Sequence, residues 1–292
     1  MDNMFKPTVL ITIVLYHPDK SKILNLIGIC TQYEKSKILL FDNTETIKAF
    51  ECADAENIIL FKSPKNVGIG GAHFLACQMA EEKNFEFVLF IDQDSHLPEN
   101  FVTDMISGFY QLKNLYPRLC AIGPTWHDPE LKNLKSRKFK DKLRNLLKAP
   151  NLKQVLISSG MLVWVPTLKH IGYPKKEYFI DLIDTEWCLR ALYKNYQIVM
   201  LSNVCMKHRI GEVKKINKLY LQYEQPIRYY YSLRNSLFLF HEKNILLSYK
   251  IFILVGNLFK LRKIIFSPKP MQSLMAAGQG IKDGVFIKKT CH

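Results

Sequence analysis

What most constrains this chain is a rhythm. Apolar, β-branched runs at Thr8 to Tyr16, Lys37 to Asn43, Asn57 to Phe61, Phe87 to Ile91 and Cys120 to Pro124 are each bounded by turn residues and followed by helical spacing. Strands and helices in such alternation specify an α/β fold, a mostly parallel sheet with helices on both faces. Ligands of these sheets lie beyond the carboxyl ends of the strands. The residues that end each run are therefore the ones to read for function.

The first run ends in Leu15-Tyr16-His17-Pro18 and the second in Phe41-Asp42-Asn43-Thr44. The third leads to Asn66-Val67-Gly68-Ile69-Gly70-Gly71-Ala72, and the fourth ends in Asp92-Gln93-Asp94. All four bring polar groups to one edge of the sheet. The glycines allow close backbone approach and lead into a helix whose first N–H groups would face an anion. A dinucleotide fold carries G-x-G-x-x-G after its first strand. Here the turn follows the third strand with different spacing, which leaves contact with a nucleotide sugar or a tight turn alone.

Asp92 and Asp94 are the most informative pair. In an extended segment, residues two apart point the same way with Cα atoms roughly 6 to 7 Å apart, so both would address one cation. Neighbouring carboxylates repel unless positive charge lies between them, and hard divalent cations take oxygen ligands that they share with a diphosphate. A helix cap at Asp94 or Ser95, for a helix opening near Pro98, would explain one carboxylate and not both. An apolar strand followed by D-x-D also resembles the nucleophile motif of haloacid-dehalogenase-type phosphohydrolases. In that family it ends the first strand with Thr or Val after it, whereas here three strands precede it and Ser95 follows.

A second acidic group lies downstream. Asp181, Asp184 and Glu186 stand among Phe179, Ile180, Leu182, Ile183, Trp187 and Leu189 with helical spacing, which puts Asp181 and Asp184 on one helix face. A carboxylate held beside apolar neighbours has its proton affinity raised and can serve as a general base. The alternative is a helix whose acids pair with Lys175, Lys176 or Arg190. A strand follows and ends at His208, a residue type that ligates metals and is placed to reach the same cation.

Composition bounds the partners. In 292 residues, 48% of them hydrophobic, there is room for one core or one domain with an appendage. Seven scattered cysteines without C-x-x-C spacing argue against a disulfide framework or a structural zinc site and suit a reducing cytoplasm. The apolar run near the N-terminus reads as a strand rather than a signal peptide, and no segment reaches the length of a membrane span. The net charge of +15 is uneven, with nine Lys or Arg against a single Asp between residues 132 and 153. Nucleic acid, anionic lipid and phosphorylated substrates would each answer to it, as would a plain solvated surface. No nucleic-acid recognition module accompanies the basic patches.

Taken in order, Leu15-Tyr16, Asp42-Asn43, Asn66 to Ala72, Asp92-Gln93-Asp94-Ser95, Ser159-Gly160, Phe179 to Arg190 and His208-Arg209-Ile210-Gly211 resemble the motifs of glycosyltransferase family 2. The D-Q-D-S form, the F-I-D-x-x-D-x-E-W-x-x-R block and Arg228-Tyr229-Tyr230 to Arg234-Asn235 most resemble its bacterial rhamnosyltransferase branch. The resemblance implies a GT-A fold: a Rossmann-like catalytic domain over residues 1–220, with a helical C-terminal region over 221–292. It implies inverting, metal-dependent transfer of a sugar to a hydroxyl of a cell-surface polysaccharide or lipid-linked oligosaccharide. The implied donor is dTDP-rhamnose, with UDP-galactofuranose or a UDP-hexose as the alternative.

The resemblance also assigns residues. Tyr16, Asp42, Asn66, Gly68, Gly70, Asp92, Gln93 and Asp94 would bind the nucleotide sugar, with Asp42 on the nucleobase or ribose. Asp92, Asp94 and His208 would hold Mg²⁺ or Mn²⁺, and Trp187 and Glu186 would face the acceptor. Asp184 would be the base. Ile183 stands where the family places Glu beside it, which leaves Asp181 as a substitute and a noncatalytic descendant as a further alternative. From Glu224 to Lys289 the chain reads as amphipathic helices, broken at Lys250, with Lys260, Arg262 and Lys263 near a surface. Such helices lie in a membrane interface, or pack on the catalytic core or a second subunit in a homodimer. A lipid-linked acceptor favours peripheral attachment at the inner face of the cytoplasmic membrane.

Overall fold

A computed structural model of the chain describes residues 7–45, 50–51, 55–127, 155–207, 212–216 and 219–286. It divides into two compact units. The first is Met1–His127, Gln154–Phe179 and Ile183–His208; the second is Asp128–Lys153, Ile180–Leu182 and Arg209–His292.

The first unit is built on a seven-stranded sheet. Its strands are β1 (Val9–Leu15), β2 (Ser36–Asp42), β3 (Ile58–Lys62), β4 (Phe87–Asp92), β5 (Leu119–His127), β6 (Leu162–Trp164) and β7 (Gln197–Lys207), in the order β3-β2-β1-β4-β6-β5-β7. The pairs among β1 to β4 are parallel, as is β5 with β7, while β6 runs antiparallel between β4 and β5. All five apolar runs of the sequence are strands. The inserted β6 has three residues, too few to show a period.

Helices α1 (Lys20–Cys30), α2 (Gly68–Glu82), α3 (Phe101–Leu115), α4 (Leu168–Ile171) and α5 (Ile183–Tyr193) accompany the sheet. Every residue of β1 is buried because its two faces meet different helices. Val9, Ile11, Ile13 and Leu15 pack with Ile23 and Leu26 of α1 and Phe101, Met105 and Phe109 of α3. Leu10 and Val14 pack on the other side with Ala72, Ala76 and Ala80 of α2 and Trp187 and Ala191 of α5. Cover on both faces is why the strand reads as a continuous apolar run rather than an alternating one.

The second unit contains an antiparallel hairpin, β8 (Glu212–Ile216) with β9 (Leu219–Tyr223), and helices α6 (Pro226–His241), α7 (Leu247–Lys260) and α8 (Pro270–Phe286), with a 3₁₀ turn at Leu261–Phe266. Tyr229, Leu233, Ile264 and Ala277 form a buried cluster within it. Lys250 is not a break at a surface. It is buried, and its ammonium donates to the Phe240 carbonyl at 3.2 Å and to the Glu242 carbonyl, closing the C-terminal end of α6. Among the described residues, no helix is long and apolar enough to cross a membrane.

Candidate functional site

Three strand ends of the first unit are tied together by side chains. The Gln93 amide, just past β4, accepts from the Tyr16 N–H at 2.9 Å and donates to the Tyr16 carbonyl at 2.9 Å, just past β1. The next residue, His17, has a positive φ of 45° and donates its N–H to Thr44 Oγ1 at 3.0 Å, just past β2. Tyr16 itself is exposed, its ring edge-on to His17.

The Asp92–Asp94 segment is a turn rather than the extended stretch the sequence suggested. Asp92 ends β4, and the Ser95 N–H returns to the Asp92 carbonyl at 3.0 Å. Helix α3 begins only at Phe101, so neither Asp94 nor Ser95 caps it. Asp92 is half-buried and Asp94 exposed. Among the described residues no group pairs with the Asp94 carboxylate. Beyond the turn, His96 pairs with Lys207 at the end of β7 through main-chain bonds of 3.0 and 3.1 Å. His208 itself lies outside the described residues, and among those residues no cluster of three His, Cys, Asp or Glu stands ready for a metal.

The Ser159-Gly160 motif, to which the sequence assigned no role, joins this turn to the candidate base. Ser159 Oγ accepts the Asp92 N–H at 3.2 Å and lies 2.6 Å from Ser95 Oγ. Its neighbour Ser158 donates its N–H to Asp184 Oδ2 at 2.9 Å. Gly160, at a φ of 82°, donates to the Phe90 carbonyl at 2.7 Å. Asp184 stands in the first turn of α5, and its other oxygen accepts the Thr185 N–H at 2.7 Å. Burial raises the pKa of this carboxyl above its ordinary value, more than the N–H donors on it lower it.

Other assigned residues are occupied by the chain itself. Asp42 is buried, and its carboxylate accepts from the Thr44 N–H at 2.9 Å, the Phe50 N–H at 3.2 Å and Lys62 Nζ at 3.0 Å. Burial pushes its pKa up, yet these donors outweigh that and hold it below the ordinary value. The glycine-rich turn is not an open anion seat. A Cβ on Gly68, whose φ is 70°, would meet the Phe179 carbonyl oxygen at 2.3 Å, and one on Gly70 would meet the Lys175 carbonyl oxygen at 2.9 Å. The Gly70 N–H already donates to Phe179 at 2.9 Å. Asn66 caps the turn through the Gly68 N–H at 2.9 Å, and Asn43 clasps it through the Gly68 carbonyl at 3.0 Å and the Val67 N–H at 3.2 Å.

The acceptor assignments are corrected by burial. Trp187 is enclosed in the core, its indole N–H on the Gly172 carbonyl at 2.9 Å. Glu186 is wholly buried and holds Arg190 with both oxygens, at 2.8 and 2.9 Å, with Lys175 at 3.7 Å. A saccharide reaches neither. Asp181 and Asp184 do not share a helix face, because α5 begins at Ile183 and Asp181 precedes it at a φ of 65°. In the second unit, Asp181 pairs with Arg228 at 2.6 Å, and Asn235 donates to the Ile180 and Asp181 carbonyls at 2.8 Å each. That ion pair engages Asp181 Oδ1.

No family model matches the chain. It is 28% identical over 266 residues to the dTDP-rhamnosyl transferase RfbF of Shigella flexneri, a match covering 87% of this chain and 84% of that one. Its fold is similar to that of TarS from S. aureus, with a TM-score of 0.54 at 16% identity over 95% of this chain. In that comparison the chain spans about half of TarS, 49% of its length. Against TarS 1–349 in complex with UDP-GlcNAc it spans 81% of that chain, again with a TM-score of 0.54 and 16% identity.

Proposed function

We propose that the chain is a glycosyltransferase with the GT-A fold, which moves L-rhamnose from dTDP-rhamnose to a hydroxyl of a polysaccharide or lipid-linked saccharide in one inverting displacement. The observation that carries this reading is the continuous set of hydrogen bonds from Tyr16 through Gln93 to the Asp92–Asp94 turn, and from that turn through Ser159 and Ser158 to Asp184. It links, within one unit, the turn that would face the diphosphate and the carboxylate that would act as base.

Asp92 and Asp94 would hold Mg²⁺ or Mn²⁺. Two hard carboxylates on an exposed turn fit a cation that completes its shell with water and phosphate oxygens, and His208 would add a ligand by resemblance. When bound, the cation offsets charge on the departing nucleoside diphosphate. Asp184 takes the proton of the acceptor hydroxyl as its oxygen bonds to the anomeric carbon, and the bond from that carbon to the diphosphate oxygen breaks. Its raised pKa makes the carboxylate a stronger base than an ordinary aspartate.

The donor follows the likeness to RfbF, and the TarS complex with UDP-GlcNAc makes a UDP-sugar the alternative. Incubation with dTDP-rhamnose and a panel of UDP-sugars, each with Mn²⁺ and with chelator, tests both. The expected result is slow release of dTDP from dTDP-rhamnose that chelator abolishes. Consumption of a UDP-sugar alone would replace the donor and keep the class.

A further inference from the structure

Helix α8 is packed inside out. Its buried residues are Ser273, Ala277, Gly280 and Gly284, so one face carries only small side chains. That face meets α6 too closely for anything larger. A Cβ on Gly280 would stand 2.4 Å from the Tyr230 carbonyl oxygen, and one on Gly284 would stand 2.8 Å from Leu237 Cβ. The large apolar side chains lie on the other side, where Met271, Leu274, Met275, Ile281, Val285 and Phe286 are all exposed. Ile265, at 77%, and Phe266 are also exposed, on the preceding 3₁₀ turn. A helix at a wet protein surface has the opposite arrangement, and an apolar patch of this kind marks a docking face.

The charges beside the face select its occupant. Residues 260 to 286 include Lys260, Arg262, Lys263, Lys269 and Lys282 against one acid, Asp283. Asp283 already accepts from the Tyr230 hydroxyl and the Gln279 amide, each at 2.8 Å. Lys260 shares its charge with Glu224 at 3.8 Å, while Arg262, Lys269 and Lys282 are exposed. A second copy docking through the same face would bring the same cations and no spare carboxylate to meet them. Anionic headgroups meet the cations while acyl chains accept the methionines, leucine and phenylalanines.

We propose that α8 and the turn before it dock this protein on an anionic bilayer, with the helix lying in the headgroup plane. This stands on the second unit alone and does not depend on which donor is used.

The test is sedimentation of the full chain with vesicles of phosphatidylcholine, with and without phosphatidylglycerol. Partitioning is expected to be at least ~10-fold stronger with phosphatidylglycerol and to weaken as salt rises. Leu274→Ser/Val285→Ser is expected to weaken it by ~10-fold or more, and Lys282→Glu to weaken it on anionic vesicles only. These side chains are exposed, so far-UV circular dichroism and the melting temperature should match the parent. Indifference to phosphatidylglycerol overturns the proposal, as does undiminished binding by the double variant. A parent dimer in vesicle-free solution that the double variant converts to monomer also overturns it, by assigning the face to a second copy.

Discussion

The Gln93 side chain pairs with the main chain of Tyr16 in both directions, each hydrogen bond being 2.9 Å long. An amide is the one neutral side chain that offers a donor and an acceptor side by side in the way a peptide group does. The pair therefore extends the β1–β4 ladder by one step beyond the strands, up to the Asp92–Asp94 turn. Gln93→Leu removes both bonds, at ~1 kcal/mol each by the usual net value. The expected outcome is a modest loss in denaturant stability with a larger rise in donor KM than fall in kcat. Gln93→Glu keeps the acceptor, loses the donor, and should fall between the two. Urea titration and donor saturation curves check this.

Asp184 sets a pH dependence. Its pKa is raised in the folded chain, chiefly by burial. The protonated form is thus favoured by folding: its stabilising contribution is full below the ordinary aspartate pKa and is lost as pH rises through the folded value. Activity has the opposite sign, because only the carboxylate accepts a proton. The rate kcat/KM should fall on the acid side along a limb whose midpoint lies above the ordinary value of 3.8. Asp184→Asn should cost ~10²- to 10⁴-fold in kcat while leaving binding of the nucleoside diphosphate intact by calorimetry.

How far the sequence reveals this site depends on distance along the chain. The Asp92–Asp94 pair and Asp184 can be nominated from sequence because their chemistry and their place after a strand or in a helix are local properties. For Ser159 the sequence offers only the Ser159-Gly160 motif, and its contact with Asp92, 67 residues away, is hidden. The direction of a helix is equally hidden. Spacing around Glu186 offers pairing with Arg190 or Lys175 as the alternative to a base, and the structure makes those pairs, but spacing does not show that the Glu186–Arg190 pair is buried. On α8 the pattern marks an amphipathic helix and does not say that the small residues face inward. Gly68 and Gly70 invite a ligand in sequence, and in the fold it is Phe179 and Lys175 that approach them.

Glu186 and Arg190 give a stability prediction that separates structure from acceptor binding. Their pair is buried and doubly hydrogen-bonded. Glu186→Gln leaves the guanidinium uncompensated and should cost ~3 to 5 kcal/mol of folding stability. Where the variant remains folded, its acceptor KM should match the parent. A selective rise in acceptor KM with unchanged melting would restore Glu186 to the acceptor site.

Ser159 offers the sharpest test of the connected site. Its hydroxyl is buried, accepting from Asp92 N–H at 3.2 Å while lying 2.6 Å from Ser95 Oγ, and the preceding residue supplies an N–H to Asp184. Ser159→Ala strands a main-chain donor and a serine hydroxyl at the Asp92–Asp94 turn, at ~1 to 3 kcal/mol. If the hydroxyl serves only folding, melting drops and the kinetic constants of the folded enzyme stay put. If it positions the turn, the Mn²⁺ concentration for half-maximal activity should rise several-fold at saturating donor. Ser159→Thr, which keeps the hydroxyl, should recover part of the metal response even where its added methyl lowers stability. The pH profile of kcat/KM should be shifted little by Ser159→Ala, because the Asp184 contact comes from the Ser158 main chain and survives the substitution.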